Sequence, residues 1–170
     1  SKLSTNDLNS FYNEFGPDQV ISIDGDFKGT LNDFEFTNAR LATGDTQVSG
    51  DFTVKDILAV DTDYSIKAEG HAITTNYYDL RRFMPRILGD VIPKELKDLG
   101  TFTFSGNTTI TTTDLLTNSV ISSGIGGAKV DLSVGNINNF DYAYYKGNIV
   151  LNNFSLGKIA GTSSLGKVTA

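Results

Sequence analysis

The sequence predicts an all-β protein, built as an elongated, twisted and mostly antiparallel sheet that carries short helical inserts. The composition is typical of strands and tight turns, because the 170 residues include 17 Gly but only 3 Pro and are rich in Thr, Ser, Asn and Asp. Apolar and polar residues alternate with a period of two over most of the chain, which indicates strands with one buried face. Strand segments also repeat, which favours a sheet that grows by adding similar units.

The repeat divides the chain into two similar halves. Residues 23–27 (Ile-Asp-Gly-Asp-Phe) recur as residues 104–108 (Phe-Ser-Gly-Asn-Thr), and residues 7–11 recur as residues 79–83. The predicted units are a first repeat at about 1–73, a second repeat at about 74–155 and the start of a further unit at about 156–170. Because no long linker separates the repeats, we expect them to share one continuous sheet.

Composition and charge disfavour several classes of function. The formal net charge of −6 disfavours a nucleic-acid partner, since nucleic-acid binding needs a basic surface. The chain has no cysteine, so it has neither a thiol nucleophile nor a cysteine-based metal site. No apolar run approaches the roughly 20 residues of a membrane span. The chain begins at Ser1, and we interpret it as a fragment of a larger protein.

Three short helices are predicted to interrupt the strands. A capping residue precedes each of the first two, and a proline occupies the first position of the third. The predicted helices cover residues 5–12, 77–84 and 93–98. Leu8 and Phe11 share one face of the first helix, which makes it amphipathic.

The strands follow from the alternation of apolar and polar residues. The first begins at Val20, and the second changes parity between Phe36 and Ala39, which predicts a β-bulge near Asn38. The later predicted strands cover residues 47–55, 63–74, 102–110, 117–124, 128–135 and 141–151. Gly124 to Gly127 is interpreted as a hairpin turn, because it fits no phosphate-binding fingerprint.

The strongest signal in the sequence is one apolar face shared by the strands. The candidate lining residues of this face are Ile21, Ile23, Phe27, Leu31, Val48, Phe52, Val54, Ile66, Phe102, Phe104, Ile110, Val130, Leu132, Ile149 and Leu151. Periodicity alone leaves two readings open: the core of a closed sandwich or barrel, or the lining of an open groove.

The polar candidates for chemistry are few. His71, the only histidine, is predicted on the polar face of its strand, and Asp24 and Asp26 are predicted to be hydrated. We therefore predict no metal site, no cofactor and no catalytic constellation. Arg81, Arg82 and Arg86 form a candidate contact for a lipid headgroup phosphate, with a solvated helix face as the alternative.

Several segments, taken in order, resemble the repeat of TamB/AsmA-like translocation and assembly proteins. They are residues 25–34, 37–44, 48–52, 74–85, 99–106 and 145–158. The last three are similar to the TamB type found in Bacteroidota. The resemblance covers nearly the whole chain, and the ordered combination of segments is more specific than any single one.

The resemblance implies a large envelope protein that is anchored in the inner membrane by an N-terminal helix and crosses the periplasm. Its strands are expected to form a β-taco, a curled half-pipe with an apolar groove. Because the family is similar to bridge-like lipid transfer proteins, the implied partners are phospholipid acyl chains. The resemblance also implies a TamA-type outer-membrane partner bound through other regions, and leaves the helical inserts as candidates for capping or gating the groove.

Two functional hypotheses follow from the residues and the resemblance. In the first, this chain is a non-enzymatic periplasmic segment whose groove conducts phospholipid between the inner and outer membranes and supports outer-membrane biogenesis. The alternative is a structural or chaperone-like β-template, in which an exposed edge strand pairs with a strand of an outer-membrane protein during assembly.

Overall fold

The structure is a computed structural model. It describes residues 1–11, 13, 15–58, 63–83, 85, 94–155 and 167–168. Arg86 and most of the unit predicted after residue 155 lie outside the described residues.

Nine strands form one sheet, in which each strand pairs antiparallel with the next strand along the chain. They are β1 (Lys2–Ser4), β2 (Val20–Gly29), β3 (Phe34–Thr43), β4 (Thr46–Lys55), β5 (Ser65–Asn76), β6 (Thr101–Thr111), β7 (Asp114–Ser123), β8 (Gly126–Gly135) and β9 (Tyr144–Asn152). Among the described residues β1 and β9 do not pair with each other, so the sheet is open. The predicted fold class is confirmed. A separate two-stranded ribbon joins β10 (Phe154–Ser155) to β11 (Lys167–Val168).

The described helical segments are short. They are α1 (Thr5–Leu8), α2 (Tyr77–Phe83) and two 3₁₀ helices, Lys94–Leu99 and Phe140–Tyr142. The predicted capping of α2 is confirmed, because Asn76 Oδ1 accepts hydrogen bonds from the backbone N–H groups of Tyr78 and Asp79 at 3.0 and 2.9 Å. The helix predicted over residues 93–98 forms as the first 3₁₀ helix.

The helix predicted over residues 5–12 is wrong in its length, because α1 ends at Leu8. Just beyond that end, Asn9 donates to the carbonyl of Phe15 at 2.8 Å and accepts from its N–H at 2.9 Å. These side chain to backbone bonds compete with further helical turns. The sequence pattern also does not predict β1, which is three residues long and is defined by its pairing with the start of β2.

Two strands contain one extra residue relative to both of their neighbours. In β3 the extra residue is at Asn38, with φ 52°, which confirms the predicted bulge. In β5 it is at Gly70, with φ 55°. The flanking strands β2, β4 and β6 have glycines opposite these bulges, at Gly25, Gly50 and Gly106. Because bulges bend and twist a strand, this row of bulges and glycines is where the strands bend.

Each bulge is held by a side chain that follows one of these glycines. The backbone N–H of Asn38 donates to Asp51 Oδ1 at 2.7 Å, and the N–H of Gly70 donates to Asn107 Oδ1 at 2.9 Å. These bonds satisfy donors that the bulge removes from the strand ladder. The recurring pair of glycine and Asp or Asn therefore has a structural reason: glycine admits the bend, and the next side chain caps the neighbouring bulge.

The two faces of the sheet differ in polarity and burial. We call the face that includes Ile23, Val48 and Phe104 the apolar face, and the opposite one the polar face. Buried apolar residues of the apolar face are Ile21, Phe36, Ala39, Val54, Ala128 and Val134. Among the described elements no second sheet of comparable size covers this face, so its burial comes from side chains of the same face. That is expected when the strands bend toward it, as in the predicted half-pipe.

Candidate functional site

Strand register joins the apolar side chains into two continuous rows. The first stripe consists of Ile23, Leu41, Val48, Ile73, Phe104, Ile121, Ala128 and Leu151, each paired with the next across neighbouring strands. The second stripe, nearer the other end of the strands, consists of Phe34, Val54, Ile66, Ile110, Leu115, Val134 and Tyr145. Neither stripe contains a charged residue.

Nearly all predicted lining residues lie on the apolar face. The exception is Leu31, which lies in the turn between β2 and β3 and is 45% exposed. The prediction missed members of both stripes, above all Leu41 and Ile73. Leu41 is missing from the predicted set although the bulge predicted near Asn38 already places it on this face. Ile73 follows the bulge at Gly70, where simple alternation assigns a residue to the wrong face. The signal that could have identified Ile73 is Gly70, a residue that tolerates positive φ.

The middle of the apolar face, between the stripes, changes character across the sheet. On β2 to β4 it is aromatic. The ring centroid of Phe27 lies 5.0 Å from that of Phe34 and 6.2 Å from that of Phe36, and Phe36 pairs with Phe52 across the strands. On β8 and β9 it is aliphatic, with Val130 paired to Ile149. Between these parts, on β5 to β7, the middle is polar.

His71 lies in this polar part, and its predicted position on the polar face is wrong. The side chain is 2% exposed, and its ring lies 4.8 Å from the ring of Phe104 on the apolar face. The bulge at Gly70 inserts one residue into β5 and so moves His71 to the opposite face from the one that alternation predicts.

A chain of short hydrogen bonds runs through this buried polar part and leaves Nδ1 of His71 buried without a hydrogen-bond partner among the described residues. His71 Nε2 lies 2.8 Å from Thr108 Oγ1, which lies 2.9 Å from Thr117 Oγ1, which in turn lies 2.8 Å from Ser119 Oγ. Burial lowers the pKa of His71 below its ordinary value of 6.5, and the backbone of Phe104 opposes this more weakly. The ring is therefore neutral near pH 7.

α2 lies across the ends of four strands on one side of the sheet. It begins directly after β5. Its Asp79 Oδ2 accepts a 2.7 Å hydrogen bond from the backbone N–H of Asp45 in the β3–β4 turn. The carbonyls of its last described turn contact the segment that precedes β2. There Gln19 Nε2 donates to Arg82 O at 2.7 Å and the N–H of Gly16 donates to the carbonyl of Phe83 at 2.9 Å. These contacts satisfy two backbone carbonyls in the last described turn of the helix, those of Arg82 and Phe83.

The candidate headgroup residues on α2 are in different environments. Arg81 donates to the hydroxyl of Tyr77 at 3.2 Å and its guanidinium lies 5.6 Å from the centroid of the same ring. Arg81 and Arg82 are both exposed. The bond to Tyr77 uses one of the five N–H donors of Arg81, so both guanidinium groups remain accessible to a ligand.

The polar face presents charged and amide groups in open depressions. One of about 630 Å³ crosses β5 to β9 and is lined in part by Lys67, Glu69, Asn118, Asp131 and Lys146. Lys67 and Glu69 form a 3.0 Å ion pair, but both are about half exposed, so this pair contributes little to stability. In the described part of the chain, no group of three His, Asp or Glu side chains is placed to hold a metal ion.

Comparisons with protein-family models, with curated proteins and with solved structures found no match. They therefore neither support nor contradict the resemblance to TamB/AsmA-like proteins. None of the helices that the structure describes is both long enough and apolar enough to cross a membrane.

Proposed function

We propose that the apolar face binds phospholipid acyl chains and lets them move along the sheet. In this proposal the chain is a periplasmic segment of a TamB-like, inner-membrane-anchored protein that conducts phospholipid to the outer membrane. The supporting observation is the pair of stripes, which cross the strands without a charged residue. Because the sheet is an open layer, most stripe residues, such as Val48, Phe104 and Ile121, are only half-buried.

The length of the stripes suits an acyl chain. Neighbouring strands lie about 4.8 Å apart, so a stripe across eight strands extends over roughly 34 Å. The hydrocarbon part of one leaflet is about 15 Å thick, half of the bilayer core. An acyl chain thus fits along a stripe, and each CH₂ group removed from water contributes about 0.8 kcal/mol.

The buried polar chain is compatible with this role. The hydroxyls of Thr108, Thr117 and Ser119 bond to one another and to His71. A neutral and internally bonded group costs far less beside hydrocarbon than an unpaired charge. The polar part therefore interrupts the apolar surface without placing a net charge in the path of a lipid.

Native mass spectrometry of the purified chain tests the proposal. We expect co-purified phospholipid on the wild type and its loss in the Phe52→Asp, Phe104→Asp double variant, because an unpaired carboxylate on the apolar face is costly beside acyl chains. The matched control is Thr53→Asp with Ser105→Asp, which places the same charges one residue away on the polar face. Circular dichroism checks that both variants are folded. Absence of lipid from the wild type, or equal binding by folded variants of both kinds, would contradict the proposal.

A second candidate function is strand pairing with a client protein. The observation that favours it is β9, which pairs with β8 on one side and has no strand on its other side among the described residues. An unpaired strand edge is a template for β-augmentation. In this case a change to the edge strand would impair function while the apolar face stayed intact.

A further inference from the structure

Among the described residues β9 is an edge strand, and it lacks the features that protect natural edges. Edge strands are usually short, charged or interrupted by proline. β9 has nine residues, includes no proline and has a single charged residue, Lys146. Its exposed apolar side chains are Tyr144, Tyr145, Ile149 and Val150, which are 47–67% exposed and occupy both faces. These features indicate a strand whose second neighbour is missing from the described residues.

In three other strands of the same sheet a glycine is followed directly by Asp or Asn, and the side chain of that second residue contacts a bulge. Asp51 in β4 and Asn107 in β6 each cap the N–H of a bulge in the preceding strand. Asp26 in β2 accepts a longer bond, 3.4 Å, from the Asn38 side chain at the bulge of the following strand. In each case the acidic or amide side chain lies next to a strand with one extra residue.

β9 contains the same pair, Gly147 and Asn148, without a bulge beside it. Gly147 has φ 152°, close to the 148° of Gly106. The register between β9 and β8 is uninterrupted along its whole length, so β8 has no bulge. The side chain of Asn148 is exposed and has no hydrogen-bond partner among the described residues.

β6 provides the precedent for what belongs on the free side of β9. Gly106 approaches the unbulged strand β7 on one side, and Asn107 caps the bulge of β5 on the other. Gly147 approaches the unbulged strand β8 in the same way. By this correspondence, a bulged strand belongs on the open side, with its bulge opposite Gly147.

We propose that the free edge of β9 binds an antiparallel partner strand that has a one-residue bulge, and that Asn148 Oδ1 caps the bulge N–H. The partner strand alternates apolar and polar residues, so that both faces of the sheet continue, and has Gly or Asn at the bulge, where φ is positive. The proposal does not depend on lipid binding. It specifies the strand that the strand-pairing function would need.

A second copy of the chain fits this site less well than such a partner. Beyond its pairing with β1, the open part of β2 extends from about Asp24 to Gly29. That segment contains Gly25 and Asp26, the capping pair itself, and no extra residue. Pairing of β9 with this part of β2 would leave Asn148 without a bulge to cap.

Two labelled peptides test the proposal. One has the sequence of β5 (Ser65–Asn76), which forms a bulge at Gly70 in this sheet, and the other is the same peptide without Gly70. Fluorescence anisotropy with the full chain measures their affinities, and hydrogen exchange identifies the protected amides. We expect the peptide with Gly70 to bind more tightly and to protect the amides of β9 (Tyr144–Asn152).

Variants of the chain show whether Asn148 selects the bulge. Asn148→Ala should weaken binding of the bulged peptide by roughly fivefold, the loss of one hydrogen bond. Asn118→Ala is the matched control, since Asn118 is an exposed amide in the same cross-strand row, on a strand already paired on both sides. The proposal is overturned by equal affinity for both peptides, by an Asn148→Ala variant that binds normally, by protection outside β9, or by no binding. Dimerisation through β9, seen by sedimentation and not reversed by the bulged peptide, would identify a second copy as the occupant.

Discussion

Asp51 Oδ1 accepts a 2.7 Å hydrogen bond from the backbone N–H of Asn38 on the neighbouring strand. The bond links β4 to the bulge of β3, and Asp51 directly follows Gly50, where the strand itself bends. A single dipeptide therefore combines the two requirements of the bend, a permissive backbone and a cap for the freed donor.

Replacement of Asp51 should weaken this bend. We expect Asp51→Ala to lower the free energy of unfolding by about 1–2 kcal/mol, since a backbone donor loses its charged acceptor. Asp51→Asn should retain most of the stability, because an amide oxygen also accepts. Urea unfolding measures both. Asp131→Ala, an exposed carboxylate of the same face without a hydrogen-bond partner among the described residues, should have little effect. An equal loss in Asp51→Ala and Asp131→Ala would contradict the capping role.

Gly50 should tolerate no side chain. Its φ is 139°, and a Cβ at this position would lie 2.8 Å from the Cα of His71 in β5. We expect Gly50→Ala to destabilise the fold by about 2–4 kcal/mol through backbone strain and this contact. Gly70→Asn is the control, because Gly70 has φ 55°, nothing lies within 4 Å of its Cβ position, and Asn38 already occupies the matching bulge of β3. Thermal unfolding should rank Gly50→Ala far below Gly70→Asn, and the reverse order would contradict the argument.

His71 should make stability depend on pH. Its pKa in the folded state lies below 6.5, chiefly through burial, so the unfolded chain binds a proton at a pH where the folded chain does not. Stability from this group is complete above the unfolded pKa of about 6.5 and decreases as the pH falls from there toward the folded pKa. We expect the unfolding free energy of the wild type to fall more between about pH 7.5 and 5.5 than that of His71→Gln. His71 is the only histidine, so equal slopes in the two proteins would contradict this assignment.

The docking of α2 should depend on Gly16. A Cβ at Gly16 would overlap the carbonyl oxygen of Arg82. The backbone of Gly16 does not have positive φ, so close packing against Arg82 is the reason that a glycine is needed at this position. We expect Gly16→Ala to release the end of α2 and raise hydrogen exchange over Tyr77–Phe83, while amides of the central strands stay protected. Pro17→Ala, an exposed neighbour, should leave the exchange unchanged. Unaltered exchange of α2 in Gly16→Ala would show that the helix is held by other contacts.

Sequence periodicity predicted the sheet, most of its strands and the composition of its apolar face. It did so because a period of two along a strand fixes which side chains share a face, whatever the neighbouring strands are. It failed at His71 and Ile73, because one extra residue at Gly70 reverses the parity of the rest of β5. It also could not predict the contact between Gln19 and Arg82, which are 63 residues apart and meet only when four strands place their ends together.

The first stripe offers a test with adjacent residues on opposite faces. Ile121 pairs with Phe104 and Ala128 on the apolar face, while Val120 lies on the polar face and is 39% exposed. We expect Ile121→Asp to abolish the transfer of fluorescent phospholipid between donor and acceptor vesicles, because its carboxylate would interrupt the stripe near its middle. Val120→Asp introduces the same charge one residue away and should transfer lipid as the wild type does. β7 is paired on both sides, so an aspartate in this strand can unfold the sheet. Circular dichroism must therefore show that both variants are folded. Loss of transfer in both variants, or in neither, would show that lipid transfer does not depend on the polarity of the apolar face. Strand pairing would then be the better-supported function.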